Sequence, residues 1–207
     1  MMRSKLLTGL AFALSGCMAS TIGTAGGTVG TILTVPSPSA MDEVYAGTGS
    51  MTNVNMRLSF IDDYVASIDD RINPVSTPTP TPLLMVERPL VTHAFSDVAE
   101  EEWSSMVSYY DGSTLKRIRM LPDAGRTDTE EFTYDNGRLV HVSYKENGTL
   151  TGSDLASSAE NFYFGQEGLI AWIKPDGTRM SSSDPDFAYW SNQLSLEGAR
   201  FAGSATR

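Results

Sequence analysis

The chain has one cysteine and two histidines in 207 residues. A lone cysteine excludes a disulfide framework and a cysteine-based zinc site, and two histidines are too few for a histidine cluster. Positive charge is scarce as well: 15 lysines and arginines stand against 25 acids, a formal net of −10. Nucleic acids and anionic membrane surfaces are recognised through clustered positive charge, so neither is expected as a partner. The chain also lacks a G-x-S-x-G elbow, a P-loop, a dinucleotide glycine fingerprint and an H-E-x-x-H motif. No catalytic residue, metal site or cofactor is therefore expected, and the chain reads as a non-enzyme.

What is present is an address, a leader and a hairpin-rich half. Arg3 and Lys5 precede an uncharged apolar run, residues 6–14, which is too short to span a bilayer. The run ends in Leu14-Ser15-Gly16-Cys17, an aliphatic residue and two small ones before the only cysteine. This resembles the lipobox of bacterial lipoproteins. The resemblance implies a signal peptide over 1–16, a lipidated Cys17 as membrane anchor, and a place in the bacterial envelope. Met18 follows Cys17 rather than an acid, which in the enteric sorting rule implies the outer membrane.

Residues 17–49 read as a flexible tether, low in charge and rich in Gly, Thr and Ser. Met51, Val54, Leu58, Ile61, Val65, Ile68 and Ile72 then follow alternating steps of 3 and 4, predicting an amphipathic helix over 50–72. Ser50 or Thr52 would cap it, and Asn73-Pro74 would stop it. Two uses of the seam stay open. It can pack on its own domain, or it can build a coiled-coil stalk of several chains, with Arg57 and Asp62 paired between helices. The Thr-Pro alternation within 73–82 reads as a semi-rigid polyproline spacer of about 3.1 Å per residue.

From residue 83 the period changes to two. Aromatic and β-branched runs flank tight turns at Asp111-Gly112, Asn136-Gly137 and Gly165 to Gly168, which predicts three hairpins, with a further turn at Pro175-Asp176-Gly177. Aligned on Leu115, Leu139 and Leu169, they form a weak internal repeat. The fold expected for 83–207 is α+β: one antiparallel meander of hairpins covered by a C-terminal helix. Asp184 would cap that helix, Pro185 would open it, and Phe187, Trp190, Leu194 and Phe201 would line its inner face. The run Phe162-Tyr163-Phe164-Gly165 through Trp172 to Asp176-Gly177 resembles a pattern found in uncharacterised secreted bacterial proteins. Tyr134-Asp135-Asn136-Gly137-Arg138-Leu139 is similar to one unit of YD- or MORN-type hairpin repeats. These resemblances imply a fold and no activity.

Function is expected to be that of an envelope binding module, with an unknown protein or ligand held by Tyr109, Tyr134, Tyr163 and Trp172. The other reading of those four is the core beneath the C-terminal helix. The alternative function is a structural stalk, a homo-oligomer joined through 51–72. His141, between two valines, is expected to face solvent or its strand neighbour. His93, the Glu100-Glu101-Glu102 run, and Asp184 with Asp186 carry no expected chemistry.

Overall fold

Strands β1 (Leu84–Pro89), β2 (Trp103–Asp111), β3 (Thr114–Pro122), β4 (Thr129–Asp135), β5 (Arg138–Lys145), β6 (Glu160–Gly165) and β7 (Gly168–Ile173) pair in chain order, every pair antiparallel. The computed structural model describes residues 38–74, 80–90, 103–122, 128–145 and 159–205. Cys17 with its lipobox, the leader up to residue 37, His93, Glu100 to Glu102 and residues 75–79 of the Thr-Pro spacer lie outside them.

The three expected hairpins are β2–β3, β4–β5 and β6–β7, and β1 adds an edge strand that the turn signals did not mark. Asn136 and Gly137 both take positive φ, 49° and 79°, the conformation a two-residue primed turn demands. Each hairpin carries a β-bulge just before its turn, at Tyr109/Tyr110, Thr133/Tyr134 and Tyr163/Phe164. Beyond each bulge an aromatic residue faces a leucine: Tyr110 and Leu115, Tyr134 and Leu139, Phe164 and Leu169. The weak sequence repeat is this aromatic–leucine pair, set beside a bulge three times.

Helix α3 (Pro185–Ala205) covers one face. The Asp184 carboxylate accepts from Asp186 N at 3.0 Å, and Pro185 fills a first-turn position where no N–H is needed. Phe187, Leu194 and Phe201 are buried against Met106, Ile118, Phe132, Phe162 and Trp172, with Trp190 packed at the margin. The helix runs across the strands. Ser191 Oγ accepts from Leu169 N of β7, Gly198 O accepts from Tyr134 Oη of β4 at 2.8 Å, and Ala205 O accepts from Tyr110 Oη of β2 at 2.6 Å. Gly198 permits that approach, because a Cβ there would lie 3.0 Å from Leu139 Cδ2.

The other face is covered too, by α1 (Pro38–Ala46) and α2 (Val54–Ile72). Two expectations need correcting here. The tether does not run on to 49: Pro38 opens a helix whose Met41 and Val44 are each 1% exposed. Nor do residues 50–72 stand apart from 83–207, since α2 shares one buried cluster with the sheet. Asn53, rather than Ser50 or Thr52, caps α2 by accepting from Asn55 N. Leu58, Ile61 and Ile68 pack on Val107, Tyr109, Val140 and Tyr163 of the sheet. The buried stripe also takes in Arg57 and Tyr64, both at the flanking g position. A coiled-coil seam needs only a and d, and this wider stripe is that of a helix laid on its own domain.

Arg57 and Asp62 each have partners within the chain itself. Arg57 Nη1 donates to Glu167 Oε1 at 2.5 Å in the β6–β7 turn, and its Nε donates to Val44 O at 2.7 Å. Gly165 is needed beneath it, because a Cβ there would collide with the guanidinium. Asp62 accepts from Tyr163 Oη at 2.8 Å. At the sheet centre Arg117, 1% exposed, reaches Asp69 of α2, Glu131 Oε2 at 3.1 Å and Thr133 Oγ1 at 3.3 Å. Its charge is buried but compensated on several sides, as such a group must be.

Candidate functional site

The three tight turns lie at one end of the sheet. At the opposite end, where β2, β4 and β6 begin and β5 ends, a cavity of about 240 Å³ opens between the sheet and α3. Its sheet-side wall comes from Trp103, Tyr144 and Phe162, and its helix-side wall from Trp190, Leu194 and Phe201. Four charged side chains reach it: Glu130 on β4, Glu160 at the start of β6, and Glu197 and Arg200 on α3. Its volume falls just below the roughly 300–1,000 Å³ typical of small-molecule sites, and its make-up, apolar walls with a few polar groups, is of that kind.

Local sequence explains the placement. Alternation in β6 sends Phe162 and Phe164 to the α3 face and Tyr163 to the α2 face. Glu130 precedes Phe132 by two residues and so shares its face, 9% exposed. On α3, Trp190, Leu194, Glu197 and Phe201 recur at steps of 3 and 4, one helical face. Phe162 stacks on Trp172 at 5.5 Å and lies 5.9 Å from Trp190. The aromatic wall is thus a continuous cluster.

The carboxylates are held by neighbours. Glu160 Oε1 accepts from Trp172 Nε1 at 3.1 Å and lies 3.4 Å from Lys174 Nζ. Glu197 Oε1 accepts from Gln193 Nε2 at 2.6 Å. Burial, and then the Glu130 carboxylate, hold the Tyr134 phenol above its ordinary range. Tyr134 therefore remains a donor, to Gly198 O, across the working pH range.

The four aromatics expected to meet a partner are placed otherwise. Tyr109, Tyr134, Tyr163 and Trp172 are 5%, 1%, 5% and 3% exposed. Tyr134 and Trp172 lie beneath α3, while Tyr109 and Tyr163 lie beneath α2. They form the core, so none offers a surface to another protein. Trp172 alone adjoins the cavity, as the second layer behind Phe162. The lining residues Trp103, Tyr144, Glu130, Glu160 and Glu197 carry no motif in the sequence. The signal within reach was Phe162 and Trp190 on faces already expected to meet.

His141 does not face solvent. It is buried against α2, with Nε2 3.2 Å from Asn161 Oδ1 and its ring 5.0 Å from Tyr163. Burial, with the Arg117 guanidinium adding to it, pushes its pKa down to about 4. Neutral and enclosed, it is a structural side chain of the β5–β6 pair. Among the described residues no group of His, Cys, Asp and Glu could hold a metal ion, and no helix is long and apolar enough to cross a membrane. No family model, curated protein or solved structure matches the chain.

Proposed function

We propose that this chain is a lipid-anchored binding module of a bacterial envelope, tethered through Cys17 and holding a small ligand in the cavity under α3. The observation that carries the reading is the cavity, walled by Trp103, Tyr144, Phe162 and Trp190 at the end of the sheet away from the tight turns. Leu14-Ser15-Gly16-Cys17 supports the anchor. The thiol is the acyl acceptor, and two or more acyl chains give stable membrane attachment where one is marginal. The two halves are tested separately. Cys17→Ser should abolish fatty-acid labelling and move the chain out of the membrane fraction, and persisting label would sink the anchor. For the cavity, the whole chain carrying Cys17→Ser is titrated calorimetrically with 2-phenylethanol, an uncharged aromatic probe. Saturable binding at one site is expected, and Leu194→Phe should abolish it while the chain still melts cooperatively.

A further inference from the structure

The charged groups at the cavity are already answered within the chain. Glu160 Oε1 accepts from Trp172 Nε1 at 3.1 Å and lies 3.4 Å from Lys174 Nζ, and Glu197 Oε1 accepts from Gln193 Nε2 at 2.6 Å. Glu130, Glu197 and Arg200 are engaged by further neighbours, as is Tyr144. The aromatic cluster has a cation of its own as well, since Lys174 Nζ stands 4.5 Å from the Trp172 ring centroid. A charged ligand would have to shed its water and then compete with these pairs for a partner, and a buried charge without one is strongly unfavourable. An uncharged ligand leaves every pair intact. What the cavity offers it is ring surface: of the apolar side chains that line it, only Leu194 is aliphatic. Phe162 lies 5.9 Å from Trp190 at an interplanar angle of 46°. A guest ring can therefore meet the two walls offset or edge-on, the arrangements that aromatic pairs prefer.

We infer that the ligand is an uncharged aromatic molecule, one ring with a short side chain, held by the ring surfaces of the two walls and not by the acids. This rests on the cavity being a binding site. The size follows from the volume: an apolar cavity of about 150 Å³ accepts benzene, so about 240 Å³ admits a ring with about three further non-hydrogen atoms. The whole chain carrying Cys17→Ser is titrated calorimetrically with four probes of like size: 2-phenylethanol, its saturated counterpart 2-cyclohexylethanol, 2-phenylethylamine as cation and phenylacetate as anion. Of these, 2-phenylethanol should bind tightest. Both ions should bind at least about tenfold more weakly, because neither finds a free partner for its charge. The saturated alcohol should bind about threefold more weakly, for want of ring–ring contact. Glu197→Gln should leave the affinity for 2-phenylethanol unchanged. If either ion binds as tightly as 2-phenylethanol, or a cooperatively melting Glu197→Gln chain loses affinity for it, the uncharged class is wrong while the binding site stands. If 2-cyclohexylethanol binds as tightly, the aromatic class is wrong and the site again stands. If none of the four binds, the cavity is not a ligand site and both readings fall.

Discussion

Replacing Ile61 with alanine removes about three methylene equivalents from a side chain with 0% exposure at the centre of the α2–sheet interface. The lost transfer free energy, about 0.8 kcal/mol per methylene, is about 2.4 kcal/mol. The cavity left behind raises this to about 3–4 kcal/mol, because Tyr163 and Val140 are anchored in strands and collapse little. In a chain of this size 1 kcal/mol moves the melting temperature by roughly 2–4 °C, so Ile61→Ala should melt about 6–16 °C lower. Met56, 44% exposed on the outer face of α2, supplies the control, and Met56→Ala should shift the transition by less than about 2 °C, since exposed substitutions stay near ±0.5 kcal/mol. Circular dichroism melts across a wide range of chain concentrations separate packing from assembly. Packing on the chain's own sheet makes the loss independent of concentration. An Ile61→Ala chain that melted like its parent, or lost mass in sedimentation while the sheet melted unchanged, would refute the interface and restore the stalk.

Acid should weaken the fold through His141. Its folded pKa is about 4 against an ordinary 6.5, so its contribution is fully present above pH 6.5. It is lost as pH falls to about 4, at about 1.4 kcal/mol per pH unit and roughly 3 kcal/mol in all. Glu131 adds to the loss at lower pH: burial alone would raise it, but Arg117 and Arg119 hold it below the ordinary glutamate range. Asp62, raised by burial, works in the opposite sense. Urea midpoints measured against pH should therefore fall between pH 6.5 and 4, and a His141→Gln chain with an equally steep fall would contradict this assignment. Gly137→Val should cost about 1 kcal/mol or more, read as a lower melting temperature. A Cβ there meets open space, so the loss reports only the strain of a β-branched residue at φ 79°. Ser108, 1% exposed, buries an Oγ without a hydrogen-bond partner among the described residues; Ser108→Ala should raise the melting temperature by the equivalent of about 1 kcal/mol, and a lower one would show that the hydroxyl is satisfied.

The hairpins were legible because their turns are local chemistry. Asn136-Gly137 needs no tertiary contact to announce itself, and Asp184-Pro185 marks a helix start in the same way. The second covered face was not legible. Arg117, Glu131, Thr133 and His141 alternate with Ile118, Phe132 and Val142, a pattern that ordinarily means one apolar face and one wet one. Here Arg117 pairs with Glu131, Thr133 and Asp69 of α2, and His141 with Asn161, so the polar face is buried as well. No period in the sequence separates a solvated charge from one satisfied across 48 residues of chain, as Arg117 is by Asp69. The same blindness covers α1, where Pro36 and Pro38 read as the end of a tether although proline is equally suited to a helix start. It covers the site too, since Glu130, Glu160 and Glu197 meet only once β4, β6 and α3 are packed.

The cavity follows from the geometry of one helix on a seven-stranded sheet. Six strand spacings of about 4.8 Å make the sheet about 29 Å wide, and the 21 residues of α3 extend about 32 Å at 1.5 Å each. The helix therefore reaches from Leu169 of β7 to Tyr110 of β2 only by crossing the strands. It shields a band about 10 Å deep, its own diameter, whereas a nine-residue strand such as β2 is about 30 Å long. Near the tight turns the strip beside the helix is closed by the aromatic–leucine pairs, and Leu139 and Phe132 lie against Gly198. At the other end no such pair recurs. The large side chains there, Trp103 and Trp190, stand on opposite walls with Glu130 and Glu160 between the layers, and carboxylates do not fill an apolar gap as methyl groups do. Glu160 could not become leucine without stranding Trp172 Nε1, which donates to it, so this carboxylate belongs to the packing that leaves the cavity open.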